Sequence, residues 1–212
     1  MIYNEEIART TARSLLQVKA VKLSPHDPFT WTSGIKSPIY CDNRVTLSFH
    51  AIRTYIRQQF VQIIHEEFGL VEYIAGVATG AIAQGALVAQ EFGIPFIYVR
   101  SDKKKHGMEN KIEGRIEPGK SVVVIEDLIS TGGSSLAAVE ALTGAGFIVK
   151  GMLAIFTYNL EKAKKSFSAA KCRLITLSDY ESLIHEALES NYISDEDLQS
   201  LLKWRENPEK WA

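Results

Sequence analysis

The chain has 212 residues, 46% of them hydrophobic and 23% charged, with a formal net charge of −1. Such values suit one α/β domain and exclude a general electrostatic attraction to nucleic acid or to an anionic membrane. Cys41 and Cys172 are the two cysteines, far apart and in no metal or redox spacing, as expected of reduced thiols in the cytoplasm. The opening MIYNEEIART has acids and no apolar core, so it reads as no signal peptide, and no segment approaches the roughly twenty apolar residues of a membrane span.

In chain order, residues 3–20 read as a helix with Asn4 as a cap and Ile7, Leu15, Leu16 and Val18 as its apolar stripe. A proline loop at 24–28 follows, then two short aromatic-rich strands around Gly34, at 29–34 and 37–42. Residues 20–45 thus read as a small hood over a sheet. A helix from Ser48 to Phe68 carries Ile52, Ile56, Phe60, Ile63 and Ile64 on one side and stops at Gly69. From Tyr73 the pattern alternates: strand 73–78, helix 81–92, strand 94–100. Alternation of this kind implies a parallel sheet with right-handed crossovers. The segment Ser101 to Arg115 is polar, holds Lys103, Lys104, Lys105 and His106, and is longer than a usual connection. A basic loop of that length suits a lid over a polyphosphate. Later come a strand at 147–156, a helix at 160–170, a strand at 173–177, a helix to about Ser190 and a last helix capped by Ser194.

The stretch Ser121 to Leu142 organises the rest. Val122, Val123, Val124 and Ile125 are an unbroken β-branched run, which suits a strand buried on both faces. Glu126 and Asp127 come at its end, followed by Leu128 and Ile129. Then comes the small segment Ser130, Thr131, Gly132, Gly133 and Ser134, and an Ala-rich helical pattern. Glycines let the backbone approach a ligand closely, and the loop amides with the helix N-terminus favour a phosphate. The paired acids would repel phosphate, so they suit ribose hydroxyls or a metal-bound polyphosphate. The sequence is neither a Walker loop, since no lysine follows the glycines, nor a GxGxxG fingerprint.

Strand, two acids and Thr/Gly-rich loop resemble the phosphoribosyl-diphosphate (PRPP) motif of the type I phosphoribosyltransferases. Two further segments, SGIKSPIYCDNR (33–44) and YVRSDKKKHG (98–107), are similar to the branch of that family that uses orotate. The resemblance implies a single domain over 1–212, built as a central parallel sheet flanked by helices with a small N-terminal hood. It implies transfer of the ribose 5-phosphate of PRPP to orotate, giving orotidine 5-phosphate and pyrophosphate. Glu126 and Asp127 would hold the ribose, Ser130 to Ser134 the 5-phosphate, and Leu128 and Ile129 between them would also line the PRPP site. Arg100, Lys104 and His106 would contact pyrophosphate, with Lys104 and Asp127 the catalytic pair. Ser130, Tyr40, Lys36 and Arg44 would serve orotate. Mg²⁺ would arrive on substrate oxygens, with no protein metal cluster, and two subunits of a homodimer would share their sites. The hood sequence argues against a purine acceptor. Near-neutral charge argues against a nucleic-acid-binding regulator of the same fold.

Overall fold

The computed structural model describes residues 1–30, 34, 36–100, 111–208 and 211. The strand grown from the valine run is β8 (Ser121–Ile129), and it lies in the middle of a six-stranded sheet. The others are β5 (Tyr73–Val77), β6 (Phe96–Val99), β7 (Ile112–Glu113), β9 (Ile148–Thr157) and β10 (Leu174–Asp179). Their order is β10-β9-β8-β5-β6-β7, parallel throughout except for the antiparallel edge pair β6–β7.

Period two explains why β8 is apolar without alternation. Val123 and Ile125 pack into one core with Phe60, Ile74 and Leu153, while Val122 and Val124 pack into a second with Leu142, Phe147 and Phe167. Each buried Val or Ile contributes about 2 kcal/mol of transfer free energy, so both faces of the strand favour this placement. The first core is covered by helices α1 (Glu5–Gln17), α2 (His50–Ile63), α3 (Ile82–Phe92), α6 (Tyr180–Glu189) and α7 (Asp195–Glu206). The second is covered by α4 (Gly133–Gly144) and α5 (Glu161–Ala169). The expected architecture, a mostly parallel sheet between helical layers, is the one observed.

Several boundaries differ from the sequence reading, each for a physical reason. Strand β8 does not stop before the acids; β9 pairs with it as far as Ile129, so Glu126 and Asp127 lie within the strand. The helix read from Ser48 begins at His50 and is preceded by a 3₁₀ turn, Asn43–Ser48. Its last turn is wound as a π-helix, Ile64–Phe68. The first helix ends at Gln17, three residues early. Part of the long basic loop forms β7, which pairs Val99 with Ile112.

The hood is two antiparallel ribbons. Strand β1 (Val21–Leu23) pairs with β4 (Ile39–Cys41), and β2 (Phe29–Thr30) pairs with β3 (Lys36–Ser37). It is anchored from a distant part of the chain. Trp204 of α7 is fully buried and donates its indole N–H to the Lys36 carbonyl at 3.2 Å. The Trp204 ring sits against Tyr158 and Tyr180, with centroids 5.9 and 5.3 Å away.

Candidate active site at the carboxyl end of β8

The site begins with the two acids. Glu126 is 4% exposed, and its carboxylate accepts from Ser135 Oγ at 2.7 Å and from the Asp127 amide at 3.0 Å. Burial pushes its carboxyl well above the usual carboxylate range, and the neighbouring Asp127 charge pushes the same way. The next residue along a strand faces the other way, so Asp127 is half-buried and more open. Two adjacent carboxyls therefore occupy unlike environments.

Asp127 leans on the turn that follows β5. The chain there runs Ala78-Thr79-Gly80-Ala81, with a cis peptide bond between Ala78 and Thr79. A Cβ built on Gly80 would stand 2.1 Å from Asp127 Oδ2, so only a bare backbone fits beneath this carboxylate. The turn and the acid share one small space at the ends of β5 and β8.

The loop after β8 supplies donors. Gly132 takes φ 83°, a left-handed value that suits glycine, and a Cβ there would also meet the Phe167 ring at 2.9 Å. Gly132 is the cap of α4, and the Leu136 amide makes the first helical bond to its carbonyl at 2.9 Å. The amides before Leu136 precede the helical ladder and point out of its positive end. Thr131, Gly133 and Ser134 are exposed and Ser130 is half-buried, so this end is open to a ligand.

Arg100 follows β6 and approaches from the other side. Its guanidinium meets Glu113 at 3.3 Å, and its amide binds the Lys111 carbonyl. A cavity of about 70 Å³ is lined by Arg100, Lys111 and Ser134. The structure thus brings Arg100 to the loop that follows β8 and adds Lys111, which sequence reasoning missed. Lys104 and His106 lie outside the described residues.

On the hood side, Tyr40 is 43% exposed with its ring 5.6 Å from that of Phe29. Lys36 Nζ donates to Thr30 Oγ1 at 2.8 Å. Arg44 forks onto Asp42, at 2.7 and 2.8 Å, and that carboxylate raises its pKa; Tyr40 and Asp127 add to the same effect from farther off. Arg44 is thus within electrostatic reach of Asp127, and a ligand carboxylate would compete with Asp42 for it. Two more residues were missed from the sequence. Ser135 secures Glu126, and Asn43 donates its side-chain amide to the Asp127 carbonyl at 2.6 Å. For Ser135 the signal was a hydroxyl just inside the helix that faces back to the strand; for Asn43 there was none. Among the described residues no group of three or more His, Cys, Asp or Glu is arranged to hold a metal, and no helix is long and apolar enough to cross a membrane.

An acid pair, a bare glycine turn and a helix N-terminus thus meet at adjacent strand ends. The family model described as "Phosphoribosyl transferase domain" matches residues 48–191, and the chain belongs to that family. Its relatives narrow the comparison. It is 54% identical to the orotate phosphoribosyltransferase of Porphyromonas gingivalis over 206 residues, covering 97% of this chain and 98% of that one. Among solved structures, its fold is similar to that of orotate phosphoribosyltransferase from Aeropyrum pernix, with TM-score 0.74, 24% identity, and coverage of 86% and 99%. It also superposes on UMP synthase of Leishmania donovani, with TM-score 0.77 and 24% identity, covering 92% of this chain and 41% of that longer one.

Proposed function

We propose that this chain is an orotate phosphoribosyltransferase, which joins orotate to PRPP to give orotidine 5-phosphate and pyrophosphate, a step of pyrimidine nucleotide synthesis. The observation that carries the reading is the convergence of Asp127, the Gly80 turn and the α4 N-terminus at the ends of β5 and β8. Sequence identity to the Porphyromonas enzyme over nearly the whole chain supports the choice of acceptor.

In this reading the 5-phosphate sits on the amides and hydroxyls of 130–134, and the ribose hydroxyls donate to Glu126 and Asp127. The bond from the anomeric carbon to the pyrophosphate oxygen breaks as the bond to a ring nitrogen of orotate forms. Positive charge grows on the ribose ring and negative charge on the leaving group. The protein positions both partners and stabilises those charges, with no covalent step of its own. Arg100, Lys104 and His106 face the pyrophosphate, and Lys104 acts chiefly in the transition state. Tyr40, Lys36, Arg44 and Ser130 form the orotate side, under a hood spanning about 20–45 of a single domain.

The donors at the strand end are oxygens: the Asp127 carboxylate and the Ser130 and Thr131 hydroxyls. That set fits a hard cation such as Mg²⁺, which when bound through PRPP neutralises diphosphate charge. The working form in this proposal is a cytoplasmic homodimer in which each basic loop serves the neighbouring site.

The test is spectroscopic loss of orotate that requires both PRPP and Mg²⁺ and yields pyrophosphate in equal amount. A panel of purine bases run beside it must stay inert. Turnover of a purine in place of orotate overturns the assignment.

A further inference from the structure

Parallel partners on the two sides of β8 end at different heights. Strand β5 pairs with β8 as far as Ile125, whereas β9 continues to Ile129. Beyond Ile125 the sheet on the β5 side gives way to the cis turn, and the Asp127 carbonyl takes its partner from the hood. That partner is Asn43 Nδ2, at 2.6 Å and 84 positions away in sequence. Asn43 is 2% exposed, an expensive place for an amide unless both its ends are paired. Both are. Its Oδ1 accepts from the Cys41 thiol at 3.4 Å. A carbonyl only accepts and a protonated thiol donates, so this amide has one workable orientation. Burial, and then the Asp127 charge, push the Cys41 thiol up, which keeps it a donor. Asn43 also opens the 3₁₀ turn, where its own carbonyl accepts from Thr46 Oγ1 at 2.6 Å. Two residues before it, Cys41 is paired with Val21 in the β1–β4 ribbon, next to Tyr40.

We infer that Asn43 is a positioning residue that ties the main chain of Asp127 to the hood, so that the ribose acid is set by the acceptor side of the site as well as by the sheet. Its amide, buried and paired at both ends, is turned into the protein and acts through Asp127. It acts by holding the peptide that carries the Asp127 carboxylate over Gly80, and a hood that shifts when its ligand binds moves that peptide with it. Asn43 thereby links the two substrates' halves of the pocket through one hydrogen bond.

The inference rests on the ribose role proposed for Asp127, so Asp127→Asn is measured alongside. Steady-state kinetics are run on Asn43→Leu, which keeps the shape and removes the donor, and on Asn43→Asp, which turns an acceptor toward the carbonyl. The expected result is a PRPP KM raised about tenfold or more in both, with the orotate KM changed by less than about twofold. Thermal melts accompany each variant. A purely structural role would lower the Tm and the active fraction while leaving both KM values at wild type, and that outcome overturns the inference. Equal rises in the two KM values overturn it as well. Should Asn43→Leu fail to fold, Asn43→Asp alone decides. An unchanged PRPP KM in Asp127→Asn defeats the ribose role itself; a raised one, beside unchanged Asn43 variants, defeats only the link to the hood.

Discussion

Gly80 and Asp127 compete for one volume: a methyl group at 80 would lie 2.1 Å from Asp127 Oδ2. Gly80 is not in the left-handed region, so alanine suits its backbone. The atom that must yield is the end of a side chain, which can rotate away at little cost in stability. Gly80→Ala should therefore fold with a Tm within about 3 °C of wild type. Its PRPP KM should rise about tenfold or more, since the carboxylate would be turned from the ribose it holds in the proposed mechanism. The check is kinetics beside a thermal melt; a large loss of Tm with normal kinetics would locate the strain elsewhere.

Glu126 gives a prediction with a sign. An unfolded glutamate titrates near 4.5, and burial raises the folded value well above that. The folded state therefore holds its proton more tightly. Below pH 4.5 the carboxyl is neutral in both states and costs nothing; as pH rises toward the folded pKa, stability is lost. Glu126→Gln removes that loss. The variant should melt about 2–4 °C higher than wild type near pH 7, with the gain shrinking toward pH 4, while PRPP turnover falls steeply. Melts across this pH range decide it: a gain that does not grow with pH means that Glu126 is charged in the folded protein without penalty.

Lys104→Ala should lower turnover by about a hundredfold or more and leave orotidine 5-phosphate binding nearly intact. In the proposed mechanism the charge that this lysine meets develops on pyrophosphate, which the nucleotide product lacks. Product titration beside kcat is the measurement. Equal loss of both would make Lys104 an ordinary binding group.

Mixing Lys104→Ala with Asp127→Asn tests the shared site. If each loop serves its neighbour, one site of a mixed dimer carries both lesions and the other carries neither. Random exchange makes about half of the dimers mixed, so activity should return to about a quarter of wild type. Demonstrated exchange with no recovery means that each loop closes over its own subunit.

What the sequence disclosed was local. The run Val122 to Ile125, the acids and the glycines are neighbours in the chain, so strand, loop and helix could be placed from period and turn chemistry alone. The extent of β8 could not, because it depends on how far β9 runs beside it. The hood was legible as a β segment, but its attachment was not. The Asn43 contact spans 84 positions and no periodicity announces it. The resemblance assigns Arg44 to orotate, whereas in the structure Asp42, two residues before it, already holds it. A local salt bridge of that kind is visible in the sequence only as two charges separated by one residue.

The bond from Trp204 to the Lys36 carbonyl has a consequence for synthesis. The hood is made early, and the residue that braces it follows 168 positions later. At about 5–20 residues per second, a ribosome needs on the order of ten seconds to cover that distance. Once residue 142 has been added, and until Trp204 follows, the nascent chain holds the whole of the 121–142 stretch beneath an unbraced hood. Its β2–β3 ribbon, too short to persist alone in water, waits for the last helix to emerge. A chain stalled before Trp204 would thus carry the proposed sugar-binding half of the pocket without its finished roof, and activity should appear only after α7 has cleared the exit tunnel.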